Sequence, residues 1–173
     1  MDTNKEMGRR PRQIALAALF AALYAAAVTL LAPISFQVYQ VRVADCLLAL
    51  SILFGPPAIV GLTIGTLIGN LSSPFGVVDI LGGAMANFVA TLLAWKIGKL
   101  TFSGSWLAAT AAESIAITLI VGTYLSFLLQ VPLWLGWLGV LIGEVIAINV
   151  GGYVLLNAVY RAIGKRSTSL RVQ

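Results

Sequence analysis

Charge is scarce in this sequence: of its 173 residues, only 10% are charged and 60% are apolar. Soluble domains carry about 25% charged and about 45–50% apolar residues, so the composition excludes an ordinary soluble fold and predicts an integral membrane protein. Histidine is absent, and Cys46 is the single cysteine. These absences remove the commonest general base and exclude an internal disulfide or a cysteine-based metal site. We expect no metal and no cofactor.

Motifs for energy conversion and for hydrolysis are missing as well. Without a GxxxxGK[ST] phosphate loop the chain cannot hydrolyse ATP alone, and it has neither an HExxH motif nor a Ser/His or Cys/His arrangement. The net charge of +5 has no aromatic-interleaved basic patch beside it, which argues against nucleic acid as a partner. A binding or transport role is favoured over an intramembrane enzyme that would use Asp79 and Glu144 for acid–base work.

Apolar runs divide the chain into six predicted transmembrane helices of an all-α protein. The first run follows a basic start, which is also the pattern of a cleavable signal, but it is about 19 residues long and the rest of the chain is equally apolar. The run 43–71 is divided at Gly55-Pro56-Pro57, because adjacent prolines remove backbone donors and disfavour helix before them. The predicted helices cover 14–32, 43–54, 57–70, 77–97, 106–130 and 133–161. They form one membrane domain, 14–163, between the basic tails 1–13 and 164–173.

The basic residues predict the orientation of these helices. With six spans, ten of the eleven Lys and Arg residues fall on the same side as both termini, and only Arg42 falls on the other. Lys and Arg in excess mark the cytoplasmic side, so both termini are predicted to be cytoplasmic in the cell membrane. The basic composition therefore indicates orientation.

Polar residues inside the apolar runs are the candidate binding residues, because an ionisable group in a bilayer costs at least about 2.5–3.5 kcal/mol. Most of them converge on the outer half of the predicted membrane domain. The candidates for binding a small-molecule substrate are Gln37, Arg42, Asp45, Asn70, Asp79, Asn87, Tyr124, Trp134 and Glu144.

Several of these residues have a structural alternative. Arg42 and Asp45, three residues apart, can form an ion pair on one helix, or Arg42 can neutralise Asp79 or Glu144 instead. Asp79 can cap its helix, but Asp79, Gly83 and Asn87 recur every four residues as a stripe that suits a cavity wall.

For the remaining polar and aromatic residues, the predicted depth in the membrane indicates the role that we expect. Glu144 lies deep in the last predicted helix, where ligand contact and a hydrogen bond between helices are both open. Glu113 lies nearer the cytoplasm, which favours a contact with a helix or a partner. Trp134 and Trp137 are at the level of interfacial anchors, and stacking on a planar ligand is the alternative.

The first predicted helix carries rows of small residues. Ala17, Ala21 and Ala25 recur every four residues, and Ala18, Ala22 and Ala26 form a parallel row. Such rows let another helix approach closely in lipid, so they predict packing against a neighbour in the same chain or against a separate membrane protein.

Three segments resemble the queuosine-precursor transporter (QueT) family. They are APISF followed by QVRVAD at 32–45, IGNLSSPFGVVDI at 68–80, and Gly143-Glu144. The resemblance covers about 14–160, and the segment that ends in Asp79-Ile80 is the most specific. One departure is Asp45, where the family leads us to expect a glutamate.

The resemblance implies the six-helix fold of the substrate-binding (S) component of an energy-coupling factor (ECF) transporter. It implies that a 7-deazaguanine base binds near the outer face. It also implies that Ala17, Ala21 and Ala25 dock onto a transmembrane coupling subunit driven by two ATPase subunits. An S component for another vitamin, or a channel or facilitator that needs no motor, is the alternative function.

Overall fold

The computed structural model describes residues 3–31 and 42–169, with side chains described for 10–31 and 42–164. All regular secondary structure within these ranges is helical. The predicted site residue Gln37 lies outside the described residues.

Six helices follow one another along the described chain. They are α1 (Thr3–Leu30), α2 (Val43–Phe54), α3 (Pro56–Gly69), α4 (Gly76–Gly98), α5 (Ser105–Leu129) and α6, whose three segments are Leu133–Glu144, Val145–Gly152 and Tyr153–Ser169. The predicted break between α2 and α3 is confirmed: Gly55 has a φ of 62°, and Pro56 begins α3. Proline suits a first helical position, where its missing N–H costs no hydrogen bond.

Four of the six helices are long and apolar enough to cross a membrane, namely Arg10–Leu30, Gly76–Gly98, Ser105–Leu129 and Leu133–Gly164. The 14 residues of α3 reach about 21 Å, less than the roughly 30 Å of a hydrocarbon core. The α2 helix is also short. Six helices are therefore present in the described chain, while the count of six complete spans stays a prediction.

Two helices depart from regular α-helical winding. The eight residues Val43–Leu50 of α2 form a 3-10 helix, and the eight residues Val145–Gly152 of α6 form a π-helix. Both are unusually long for their type, and such irregular turns often mark functional sites. The two segments pack against each other: a Cβ on Gly152 would lie 3.1 Å from the carbonyl oxygen of Cys46.

The α1 helix packs against α3 through glycines on α3. A Cβ at Gly61 would lie 2.3 Å from the carbonyl oxygen of Ala17, and a Cβ at Gly65 would lie 2.8 Å from that of Ala21. Only glycine at these positions lets the two backbones approach so closely. The bundle then continues from α3 to α4, from α4 to α5 and from α5 to α6.

The bundle is apolar on the outside and polar at its centre. Large apolar side chains such as Met85 and Phe127 are 65% and 76% exposed, whereas Asp79 and Glu113 are fully buried. We call the end that contains Arg42 and the turn 70–76 the Arg42 end. The opposite end, with Lys99 and the start of α1, is the Lys99 end.

Candidate functional site

Asp79, in the first turn of α4, is the centre of a buried polar network at the Arg42 end. Both of its carboxylate oxygens lie 3.1 Å from Nη2 of Arg42. The hydroxyls of Tyr124 and Ser73 each donate to this carboxylate at 2.5 Å. Among the described residues, the carboxylate of Asp79 bonds to the side chains of this network, so it does not serve as a helix cap.

Arg42 therefore neutralises Asp79, one of the two alternatives that the sequence left open. The pair is buried, with side-chain exposures of 4% and 0%. Burial disfavours the charged guanidinium, but the interactions with Asp79 and with Tyr24, Asp45 and Tyr124 together outweigh this effect and raise the pKa of Arg42 above its ordinary value. The guanidinium is a permanent positive charge inside the site.

A second part of the network joins α1, α2, α3 and α4. The hydroxyl of Tyr24 donates to Asp45 and accepts from Nδ2 of Asn87 at 2.8 Å. The same amide donates to Thr66 at 2.7 Å. All four side chains are buried, so a chain of hydrogen bonds crosses the centre of the bundle beside the Arg42–Asp79 pair.

Asp45 also faces Glu144 across the contact between α2 and α6. The two carboxyl groups interact directly, and both residues are at most 2% exposed. Asp45 lies in the 3-10 segment of α2, and Glu144 comes directly before the π segment of α6. The irregular winding of both helices thus occurs where two buried acids meet.

Asn70 closes the network from the end of α3. Its Nδ2 donates to the backbone carbonyl of Asp79 at 2.9 Å, while its buried Oδ1 has no hydrogen-bond partner among the described residues. Gly83 leaves the room for this amide, because a Cβ there would lie 2.6 Å from Nδ2 of Asn70. The predicted stripe of Asp79, Gly83 and Asn87 does face the interior.

The structure brings most of the sequence candidates together in what we call the polar cluster. Its members are Tyr24, Arg42, Asp45, Thr66, Asn70, Ser73, Asp79, Asn87, Tyr124 and Glu144. Trp134 is not among them: its side chain is 64% exposed, as suits an interfacial anchor. Glu113 is also outside, and its Oε1 accepts a hydrogen bond from Ser51 at 3.4 Å, which is the predicted contact between helices.

Sequence reasoning missed Tyr24, Thr66 and Ser73. Tyr24 had a usable signal, since it is the only polar side chain between Ile14 and Val28. Thr66 and Ser73 had none, because hydroxyl side chains are common in apolar helices and in turns.

The alanine rows of α1 divide between the interior and the surface. The row Ala17, Ala21 and Ala25 is buried or partly buried on the side that meets α3. The parallel row Ala18, Ala22 and Ala26 is exposed. The first row therefore contacts a helix of the same chain, one of the two outcomes that the spacing predicted.

The polar cluster has side chains that suit the binding of a polar ligand by hydrogen bonds. It offers carboxylates as acceptors, a guanidinium and amides as donors, and hydroxyls that do both. Among the described residues, no three His, Cys, Asp or Glu side chains come together as metal ligands. Two surface cavities of about 310 and 450 Å³ lie elsewhere, between α1 and α3 and along α6.

Comparison with known proteins agrees with the membrane character and the buried polar centre. The family model described as QueT transporter matches residues 14–161. No match was found among curated proteins or among solved structures. The matched range includes α2 to α5 completely, most of α1 and α6, and every residue of the polar cluster. The chain is a multi-pass membrane transport protein and belongs to the QueT transporter family.

Proposed function

We propose that this protein is the substrate-binding (S) component of an ECF transporter and captures a queuosine precursor, a 7-deazaguanine base, from outside the cell. The observation that carries the proposal is the buried polar cluster at the Arg42 end of an otherwise apolar bundle. Family membership supports transport of a small molecule. No reaction, metal or cofactor is part of the proposal.

The donors and acceptors of the cluster suit a 7-deazaguanine ring. The ring presents adjacent N–H donors on its pyrimidine edge, which a carboxylate accepts in a bidentate manner, and a carbonyl that needs a donor. Asp45, Asp79 and Glu144 supply carboxyl groups, and Asn87 or Arg42 supplies donors. Asn70 adds a buried acceptor, its Oδ1, which has no partner among the described residues. A buried polar atom of this kind is expected to be satisfied by a ligand or by water.

The proposed orientation puts the Arg42 end outside and both termini in the cytoplasm, with six spans. Of the basic side chains that the structure describes, Arg10, Arg12, Lys96, Lys99 and Arg161 belong to the Lys99 end. The positive-inside rule assigns that end to the cytoplasm. The polar cluster then faces the side from which a nutrient arrives.

Coupling to ATP hydrolysis is proposed to come from a transmembrane subunit and two ATPase subunits, since the chain has no phosphate loop of its own. The α1 helix is the most peripheral span: 17% of its apolar window is buried, against 39–50% in the other three long helices. The exposed row Ala18, Ala22 and Ala26 extends the predicted docking face beyond Ala17, Ala21 and Ala25. The backbones of Ala17 and Ala21 already pack against α3 within the same chain.

Binding to the purified protein tests the substrate. We expect 7-cyano- or 7-aminomethyl-7-deazaguanine to bind in detergent or nanodiscs, as measured by calorimetry, and Asp79→Asn to weaken the binding. An unrelated vitamin is the comparison ligand. Tight binding of the vitamin with no binding of either deazaguanine would leave an S component for another substrate.

Uptake separates an S component from a facilitator. Vesicles that contain this chain alone should not accumulate or equilibrate the base, whereas vesicles that also contain the coupling subunit and ATPases should accumulate it when ATP is inside. Rapid equilibration by the chain alone would favour the facilitator.

A further inference from the structure

The polar cluster contains more acidic groups than basic ones. Arg42 is its single cation, against the carboxyl groups of Asp45, Asp79 and Glu144. The segment 32–41 adds no charge, because it contains no Lys, Arg, His, Asp or Glu. All ten other basic residues lie before residue 13, at 96–99 or after residue 160, at the opposite end of the sequence-predicted topology. Among the side chains that the structure describes, Arg42 is the only cation at the Arg42 end.

The acids in excess of the Arg42–Asp79 pair are Asp45 and Glu144. The carboxylate of Asp79 is well satisfied, since it receives Nη2 of Arg42 on both oxygens and the hydroxyls of Tyr124 and Ser73. Asp45 receives the hydroxyl of Tyr24. Glu144 is 2% exposed, and its Oε2 has no hydrogen-bond partner among the described residues.

Two carboxyl groups that are buried in contact cannot both ionise at low cost. As carboxylates they would repel each other without the hydration that each has lost, so the pair either keeps a proton or accepts a positive charge between the two groups. A primary ammonium complements two carboxyl groups chemically, because it brings one positive charge and three hydrogen-bond donors. A neutral substituent of the same size removes neither penalty.

We propose that Asp45 and Glu144 form a subsite for the ammonium group of the substrate, so that the cluster selects a cationic ligand over a neutral one. This inference rests on the proposed function and narrows it to a 7-deazaguanine that carries a protonated amine. Asp79, already paired with Arg42, is left to the rest of the polar cluster.

Three probes of nearly equal size test the subsite. They are 7-aminomethyl-7-deazaguanine, which is a cation at neutral pH, and its neutral analogues with a hydroxymethyl or a cyano group. We expect the aminomethyl compound to bind the wild-type protein at least about ten-fold more tightly than the hydroxymethyl compound, as charge-assisted hydrogen bonds do.

Isosteric variants assign the preference to the two acids. In Glu144→Gln and in Asp45→Asn, the ratio between the affinities for the aminomethyl and hydroxymethyl compounds should fall to about one to three. Glu113→Gln is the matched control: it neutralises another fully buried glutamate, one bonded to Ser51, and should leave the ratio unchanged. Far-ultraviolet circular dichroism and the free energy of unfolding show whether each variant is folded.

The outcomes separate this inference from the proposed function. Equal binding of all three compounds to the wild-type protein overturns the ammonium subsite and leaves the proposed function standing. A preference that persists in both acid variants overturns the assignment to Asp45 and Glu144. Failure of all three compounds to bind the folded wild-type protein overturns both proposals.

Discussion

Removal of the Arg42 guanidinium should destabilise the bundle, because it leaves the charge of Asp79 buried without a counter-ion. The two residues are 3% and 0% exposed, so water does not compensate for the loss. Breaking a buried ion pair from one side costs about 3–5 kcal/mol. The hydroxyls of Tyr124 and Ser73 still donate to the carboxylate, so for Arg42→Met we expect the lower end, about 3 kcal/mol.

A double-mutant cycle isolates the pair. The free energy of unfolding would be measured in detergent for Arg42→Met, Asp79→Asn and the double variant, with far-ultraviolet circular dichroism and tryptophan fluorescence as probes. In the double variant no buried charge of this pair remains, so its loss should be smaller than the sum of the single losses by about 2 kcal/mol or more.

Arg161→Met is the control, since Arg161 is exposed on α6. It should change the free energy of unfolding by no more than about 0.5 kcal/mol. If Arg42→Met is as mild as this control, or if the losses at Arg42 and Asp79 simply add, then the pair does not hold the centre of the cluster in the way described.

Three further changes test other parts of the molecule. Gly61→Leu should separate α1 from α3 and lower the free energy of unfolding by about 2 kcal/mol or more, because its Cβ would lie 2.3 Å from the Ala17 carbonyl oxygen. Ala22→Leu, at an exposed position of α1, should be neutral in the same measurement. Tyr24→Phe removes the hydroxyl between Asp45 and Asn87 and should cost about 1–3 kcal/mol of unfolding free energy, against little change for the exposed Tyr160→Phe. A membrane-impermeant thiol reagent should label Cys46 from outside intact cells, and labelling from the cytoplasmic side alone would contradict the six-span orientation.

The sequence predicts the helices well because their boundaries depend on local chemistry. Gly55-Pro56-Pro57 interrupts a long apolar run, and the structure breaks the helix at that point. The four-residue spacing of Asp79, Gly83 and Asn87 places the three on one helix face, which the structure confirms as interior.

Pairings between helices could not be predicted in the same way. Arg42 and Asp79 are 37 residues apart, and Arg42 was equally able to pair with Asp45 or Glu144 until the helices were in place. The role of Tyr24 depends on the docking of α1 against α3, which the alanine rows indicate without naming the partner. The 3-10 segment of α2 and the π segment of α6 pack against each other, and the residues within either segment do not predict its irregular winding.

A structure of the protein with a 7-deazaguanine bound would locate the binding site. We expect the base inside the polar cluster, within hydrogen-bond distance of Asn70 or Asn87 and of the carboxyl groups of Asp45 and Glu144. A base bound in either surface cavity, or at the Lys99 end with the polar cluster unchanged, would contradict this expectation.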